Sequence, residues 1–326
     1  MNALHTPLVF KPVYKDYLWG GRRIPETYGR VGAPSVCAES WEISAHADGM
    51  SVVAEGCFAG RRLDDLAATF GTALTGTRTP VPGRFPLLFK LIDAHDRLSV
   101  QVHPNNANAA LTCGEPKTEM WYVLGHAPGA ALYAGFIQGV TPDSLRTALT
   151  NQTAVESQLV RLPVETGQAL FIPGGLVHAI GEGCLIYEVQ QNSNTTYRLF
   201  DWGRAGADGK PRQLHIGESF KTIDWSLPSP HMLTPAESGR DGGARWSTVV
   251  SCPFFTLQKL DVAAPHTMAV DGTTFHALFV SAGRVNVAAG GESVALNAGS
   301  SALIPASAED YTLTPESPAT LLITTQ

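Results

Sequence analysis

The sequence predicts a mainly β protein made of two small antiparallel barrels with a few short helices, the second barrel a degenerate copy of the first. Three observations carry that prediction. The 32 glycines and 22 prolines fall without period along 326 residues, which suits many short strands joined by tight turns better than long helices. Short β-prone runs recur through both halves, several of them alternating polar with apolar residues. Finally, the string Gly167-x5-Pro173-x-Gly175-x2-His178 returns as Gly299-x5-Pro305-x-Ser307-x2-Asp310, keeping the leading glycine and the proline.

A chain of this length sits near the upper limit of one hydrophobic core, so two domains are expected. Segment 226–246, rich in Pro, Ser and Gly and without hydrophobic period, reads as the connector and divides the chain into residues 1–235 and 236–326. With 44% hydrophobic and 16% charged residues, the chain has enough apolar mass to offset its conformational entropy. Net charge is −6 with no block of lysine or arginine, so the basic footprint that nucleic acid or an anionic membrane requires is missing. Residues Met1 to Pro7 lack a charged stretch followed by an apolar one, and no run of about 18 uncharged apolar residues occurs. A soluble, cytoplasmic protein, monomeric or weakly homo-oligomeric, is expected. The five cysteines, Cys37, Cys57, Cys113, Cys184 and Cys252, are odd in number and form no C-x-x-C pair; reduced, mostly buried thiols follow.

Taken in order, Leu63–Leu74 carries apolar residues at helical spacing, while Pro86–Asp93 and Leu98–His103 are apolar or alternating runs. Asp143–Leu149 is a second helix, entered through Pro142, a residue suited to a first turn. Downstream, Phe255–Leu260, His276–Val280, Val285–Ala288, Ser293–Leu296, Ala302–Ile304 and Thr320–Thr324 are short strands, most of them separated by turn residues. That is the pattern of a small antiparallel barrel or sandwich.

In Leu98-Ser99-Val100-Gln101-Val102-His103-Pro104 the polar residues alternate with valines, so Ser99, Gln101 and His103 share one face of a strand. Lys117 and Glu119 share a face in the same way at the head of a strongly β-prone run. An interior carboxylate is costly without a cation, and a metal ion is its natural partner. His178 follows the glycine corner, and in Leu185–Gln191 the residues Ile186, Glu188 and Gln190 share a face that brings Glu188 toward the same lumen. Two imidazoles and one carboxylate, from His103, His178 and Glu119, form a donor set with open positions that suits Zn2+ and non-haem Fe2+ alike. The Gln101 amide is either a fourth ligand or a hydrogen-bond partner that orients one of the ligands. Arg198 lies in an otherwise apolar and aromatic strand and needs an anion: Asp201 or Glu188 in an ion pair, or an oxygen of a substrate. Because the second string has lost the histidine, the second barrel is expected to carry no metal.

Residues 167–178, GQALFIPGGLVH, resemble the second conserved motif of cupins, whose histidine is a metal ligand at the barrel mouth. More closely, the chain resembles type I mannose-6-phosphate isomerases of the short bacterial form. The likeness is carried by Tyr17–Gly21 (YLWGG), Glu39–Ser44 (ESWEIS), Leu98–Pro104 (LSVQVHP), Lys117–Tyr122 (KTEMWY), Ile172–Gly181 (IPGGLVHAIG) and Gln190–Gly203 (QQNSNTTYRLFDWG). It implies two cupin-type jelly-roll barrels, with one zinc ion per chain held in the first by His103, Glu119, His178 and Gln101. It also implies an active-site arginine at Arg198, a sugar site lined by Lys117 and Glu188, and a phosphate contact at Ser99.

The activity so implied is interconversion of mannose 6-phosphate and fructose 6-phosphate through a cis-enediol. Lys117 or Glu188 would move the proton, and Ser99, Lys117 or a further cation would hold the phosphate. Two other readings stay open from the residues alone. One is a different cupin enzyme, an iron-dependent dioxygenase or a sugar epimerase; the other is a sugar-phosphate-binding module without turnover. Lys117 beside Glu119, together with Arg198, favours an anionic polyol over an oxygenase substrate.

Overall fold

The computed structural model describes residues 4–151, 155–206 and 209–326. In the first half, a six-stranded sheet runs in the order Ala169–Ile172, Glu119–His126, Cys184–Gln191, Leu87–Ala94, Glu39–Ser44, Val13–Lys15. A five-stranded sheet opposes it in the order Tyr197–Phe200, Val100–Val102, His178–Ile180, Ala131–Phe136, Leu159–Pro163. The two enclose a common apolar cluster, with Ile92, Trp121, Ile172 and Ile186 from one and Leu132, Ala134 and Ile180 from the other. Alternation accounts for this: residues that point inward are followed by residues that point out.

The second half repeats the first strand by strand. Its six-stranded sheet runs Ser301–Ile304, His276–Ala282, Ala319–Thr325, Thr256–Val262, Ala244–Ser251, Ala236–Asp241, and its four-stranded sheet runs His266–Ala269, Asp310–Pro315, Arg284–Ala289, Glu292–Asn297. Both the spatial order and the chain order match those of the first pair of sheets, and Tyr197–Phe200 is the strand of that pair without a counterpart. The two related strings occupy equivalent corners. Gly167 and Gly299 take φ of +91° and +84° before the strands that end at Ile172 and Ile304, and these pair with Glu119 and His276 respectively. Asp310, at the place of His178, is exposed.

Several details differ from expectation. Segment 226–246 is not wholly a connector, because Ala236–Asp241 and Ala244–Ser251 form a hairpin turning at Gly242–Gly243. Its first strand is an exposed edge of polar residues, which hides the strand pattern. The helix over 63–74 is broken at Gly71, whose φ of +53° separates Leu63–Phe70 from Thr72–Thr75. The helix after Thr141 spans Pro142–Thr150 and opens with a capping box between Thr141 and Ser144. The five cysteines are free, but only Cys37 and Cys184 are buried; Cys57 and Cys113 lie in exposed loops and Cys252 is half-buried.

The halves share a core. Phe89, Leu91 and Tyr187, on the outer face of the first six-stranded sheet, and Phe85 just before it join Leu257, Phe275, Phe279 and Leu322 in one buried cluster. Tyr187 stacks on Phe279 with ring centroids 4.5 Å apart, an aromatic pairing that adds to the area it buries. Leu8 pairs with Leu303, so the N-terminal segment extends the edge of the second six-stranded sheet.

Candidate metal centre and active-site cavity

Three corners of the first half assemble the site. Val100 and Val102 are buried outward against Tyr133, Val177 and Leu199, which turns Gln101, and beyond the strand end His103, toward the interior. Glu119 opens its strand opposite Ile172 and Gln190, and His178 opens its own opposite Gln101. Gly175 locks the intervening corner: its N–H donates to the His103 carbonyl at 2.7 Å, and its carbonyl accepts from Asp224 N at 3.0 Å. At φ +98°, and with a Cβ there only 2.9 Å from that of Asp224, the position requires glycine.

His103, Glu119 and His178 are all buried, and their ligand atoms lie within 4.8 Å of one another. Each imidazole donates its Nδ1–H to a backbone carbonyl at 2.8 Å, His103 to Thr195 and His178 to Leu176. Both Nε2 atoms therefore turn their lone pairs into the cluster, only 3.1 Å apart. Glu119 Oε2 stands 3.6 Å from His103 Nε2, and Oε1 stands 3.4 Å from His178 Nε2. Lys117 Nζ lies 2.7 Å from Glu119 Oε2 and 3.0 Å from His103 Nε2. That is a close ion contact, yet neither carboxylate oxygen accepts a hydrogen bond of good geometry.

Burial raises the Glu119 carboxyl to about 7 against the opposing pull of Lys117. Burial also pushes His178 down to about 3 and His103 well below its ordinary value, Lys117 adding to the effect. The imidazoles are thus neutral. Two converging lone pairs and an under-satisfied buried carboxylate, with both rings oriented by hydrogen bonds on their far nitrogens, fit a divalent cation.

A cavity of about 300 Å³ adjoins the cluster, lined among others by Ser99, Gln101, Lys117, Glu188 and Arg198. The structure thus brings every sequence-selected site residue either into the triad or onto this wall. Glu188 Oε2 accepts the Trp121 indole N–H at 2.8 Å, and Oε1 lies 3.3 Å from Lys90 Nζ. Burial alone would raise the pKa of Glu188; Lys90, Lys117 and the Trp121 N–H outweigh it and hold it below the ordinary value. Arg198 makes no ion pair among the described residues. Asp201 is taken by Arg204 and Arg212 and Glu188 by Lys90, while Arg198 Nη1 donates to the Gln213 carbonyl at 2.8 Å and Nε has no partner. The ion-pair alternative for Arg198 is therefore not the one realised.

Sequence reasoning missed Lys90, Glu39, Trp19 and Arg212, all on the cavity wall. Lys90 was legible as the lone cation in Leu87–Ala94, a strand buried along its whole length; it bridges Glu39 at 3.6 Å and Glu188, and lies over the Trp41 ring. Arg212 had no such signal, because it arrives from an irregular loop.

Residues 8–128 match the phosphomannose isomerase type I catalytic domain and residues 246–319 the mannose-6-phosphate isomerase cupin domain. A mannose-6-phosphate isomerase of Streptococcus mutans is 35% identical over 300 residues, covering 92% of each chain. The mannose-6-phosphate isomerase ManA of Bacillus subtilis is 37% identical over 264 residues, covering 79% of this chain and 80% of that one. In three dimensions, the crystal structure of a mannose 6-phosphate isomerase from Bacillus subtilis superposes with a TM-score of 0.87 at 28% identity, covering 98% of this chain and 99% of that one. With its duplicated cupin fold and its buried His–Glu–His cluster beside a polar cavity, the chain belongs to the type I phosphomannose isomerase family.

Proposed function

We propose that the protein is a zinc-dependent isomerase that interconverts mannose 6-phosphate and fructose 6-phosphate through a cis-enediol. The observation that carries this is the convergence of two imidazole Nε2 lone pairs and an under-satisfied carboxylate directly beside a cavity holding Lys117, Glu188 and Arg198. His103, Glu119 and His178 would hold the metal, and Gln101, half-buried opposite His178, either completes the set or orients it. When bound, the metal supplies Lewis-acid stabilisation of charge developing on the sugar oxygens.

The remaining work falls to side chains. Glu188 Oε1 is a buried carboxylate oxygen without a hydrogen bond, and it takes the proton from C2 and returns it to C1. Its other oxygen is fixed by Trp121, so the base keeps its aim. Lys117 Nζ exchanges a proton with the hydroxyl oxygens at C1 and C2. The Arg198 guanidinium, without a carboxylate partner among the described residues, steadies the negative oxygen of the enediol.

A coupled assay comparing mannose 6-phosphate, glucose 6-phosphate and mannose on zinc-loaded protein tests this reading. Turnover of mannose 6-phosphate well above the other two is expected. Binding of the sugar phosphate without turnover would reduce the protein to a binding module.

A further inference from the structure

The two imidazoles of the cluster are oriented in different ways. His178 donates to the Leu176 carbonyl two residues away, inside the corner that Gly175 fixes. His103 donates instead to the Thr195 carbonyl, in the loop 192–196 that crosses from the strand Cys184–Gln191 of one sheet to Tyr197–Phe200 of the other. Thr195 lies outside both strands, so no ladder sets the direction of its carbonyl. How firmly His103 keeps Nε2 turned toward Glu119 and His178 therefore depends on what holds this loop.

Two fully buried side chains hold it, Gln190 and Ser193. Gln190 lies opposite Glu119 on the neighbouring strand, so its side chain starts beside the carboxylate of the cluster. Its Nε2 donates to the Ser193 carbonyl at 2.6 Å and to the Gln191 carbonyl at 2.8 Å. Two carbonyls at one end settle which end of the amide is nitrogen. Oε1 is left buried with no hydrogen-bond partner among the described residues, an unfavourable arrangement that the fold accepts in keeping both N–H bonds. Ser193 passes the constraint on: its Oγ accepts the Thr195 N–H at 3.2 Å and donates to the Glu115 carbonyl at 3.2 Å. The Glu115 N–H closes the brace from the other side, donating to Thr195 Oγ1 at 2.9 Å. Thr195 is thus gripped at its N–H and its hydroxyl, and its carbonyl is aimed at His103.

We propose that Gln190 is a positioning residue for the metal centre, fixing the His103 ring through Ser193 and Thr195 so that Nε2 stays turned to the ion. The proposal rests on the metal-dependent reading above and deepens it, because it makes metal affinity depend on a side chain that never touches the ion. His103 and Glu119 belong to opposite sheets, and this one amide ties the strand of the carboxylate to the loop that aims the imidazole.

Two measurements on the full chain test this, for the parent, Gln190→Met, Ser193→Ala, the double variant and Leu313→Ala, which thins the buried core of the second half. Gln190→Met keeps the length of the side chain and removes both donors. The first measurement is the NMR signal of the His103 Nδ1 proton in metal-free protein, assigned by its loss in His103→Gln. Because Lys117 lies against Nε2 in the metal-free site, the proton to follow is the one that Thr195 holds. The parent should show this signal, and Gln190→Met should lose it to exchange with water. The second is zinc affinity, by competition with a chromophoric chelator. Gln190→Met and Ser193→Ala should each bind zinc about tenfold more weakly or worse, as when a partner that orients a ligand is removed. The double variant should bind no worse than Gln190→Met, since both side chains act on one carbonyl. Leu313→Ala should melt below the parent with proton signal and zinc affinity unchanged, which separates positioning from a general loss of stability. In a parent that binds zinc, either the parental signal or the parental affinity in Gln190→Met overturns the proposal, and so does an equal loss of affinity in Leu313→Ala. Ser193→Ala, which deletes a single oxygen, carries the test if Gln190→Met does not fold. A parent that shows the proton, loses it in Gln190→Met and yet binds no zinc keeps the brace and removes the metal-dependent reading.

Discussion

Glu188 is gripped from two sides, by an indole N–H and by Lys90, and this restraint is what a base needs in order to meet the same carbon at every turnover. Glu188→Gln should therefore lower kcat by about 10²–10⁴-fold, the usual worth of a positioned acid–base group, while melting close to the parent; near-parental turnover would move the base to Lys117. Arg198→Met should cost turnover far more than stability, since among the described residues the guanidinium has no carboxylate partner to lose. Asp201 behaves differently. Burial alone would raise its pKa, but Arg212 and Arg204 outweigh it and hold it below the ordinary value. Its contribution to stability is accordingly complete above the unfolded pKa of about 3.9 and is lost as pH falls through the lower folded value. The stability gap between parent and Asp201→Asn in urea should be wide at pH 7 and should narrow as pH falls below about 3.9; a gap independent of pH would show that the carboxylate charge contributes nothing. At this scale the triad and Gln101, Lys117 and Glu188 were legible, because strand alternation fixes which side chains share a face. Arg212 was not, since no period governs a loop that returns to a site through one carboxylate.

Elements were legible wherever their period was clean. The strands around His103, Glu119 and Glu188, and the helix opened by Thr141, follow directly from alternation or capping. Breaks and edges were not: Gly71 interrupts a helix whose apolar spacing runs on past it, and Ala236–Asp241 is a polar edge strand with no buried face to give it a pattern. His266–Ala269 and Asp310–Pro315 escaped for a related reason, as neighbouring strands of mixed polarity in the second four-stranded sheet. The element that matters most for the site is the corner from Pro173 to Val177. Gly175→Ala should strain a left-handed φ and crowd Asp224, costing about 1–3 kcal/mol. The hydrogen bond from Gly175 to the His103 carbonyl would shift with it, so metal bound per chain should fall along with the melting temperature. Full metal content in a destabilised Gly175→Ala protein would show that the corner supports the fold but not the ligands.

Across the whole molecule, duplication explains the architecture. One arrangement of strands is used twice, and only the first copy presents two imidazoles and a carboxylate at its corner; in the second, His276 and exposed Asp310 hold the places of Glu119 and His178. The repeated string betrayed the duplication, but not that the two copies would share a core, since contacts such as Tyr187 on Phe279 join residues far apart in sequence. Phe279→Ala should cost about 3–5 kcal/mol and lower a single unfolding transition for the entire chain; two separate transitions would mean that the halves fold independently. The central claim is that the buried triad holds a divalent ion on which isomerisation depends. It is tested most directly by measuring metal content and mannose 6-phosphate turnover on the same sample before chelation, after chelation and after adding back zinc. The account predicts about one ion per chain, turnover lost with it, and both restored together. Full turnover in protein verified to be free of metal would contradict it.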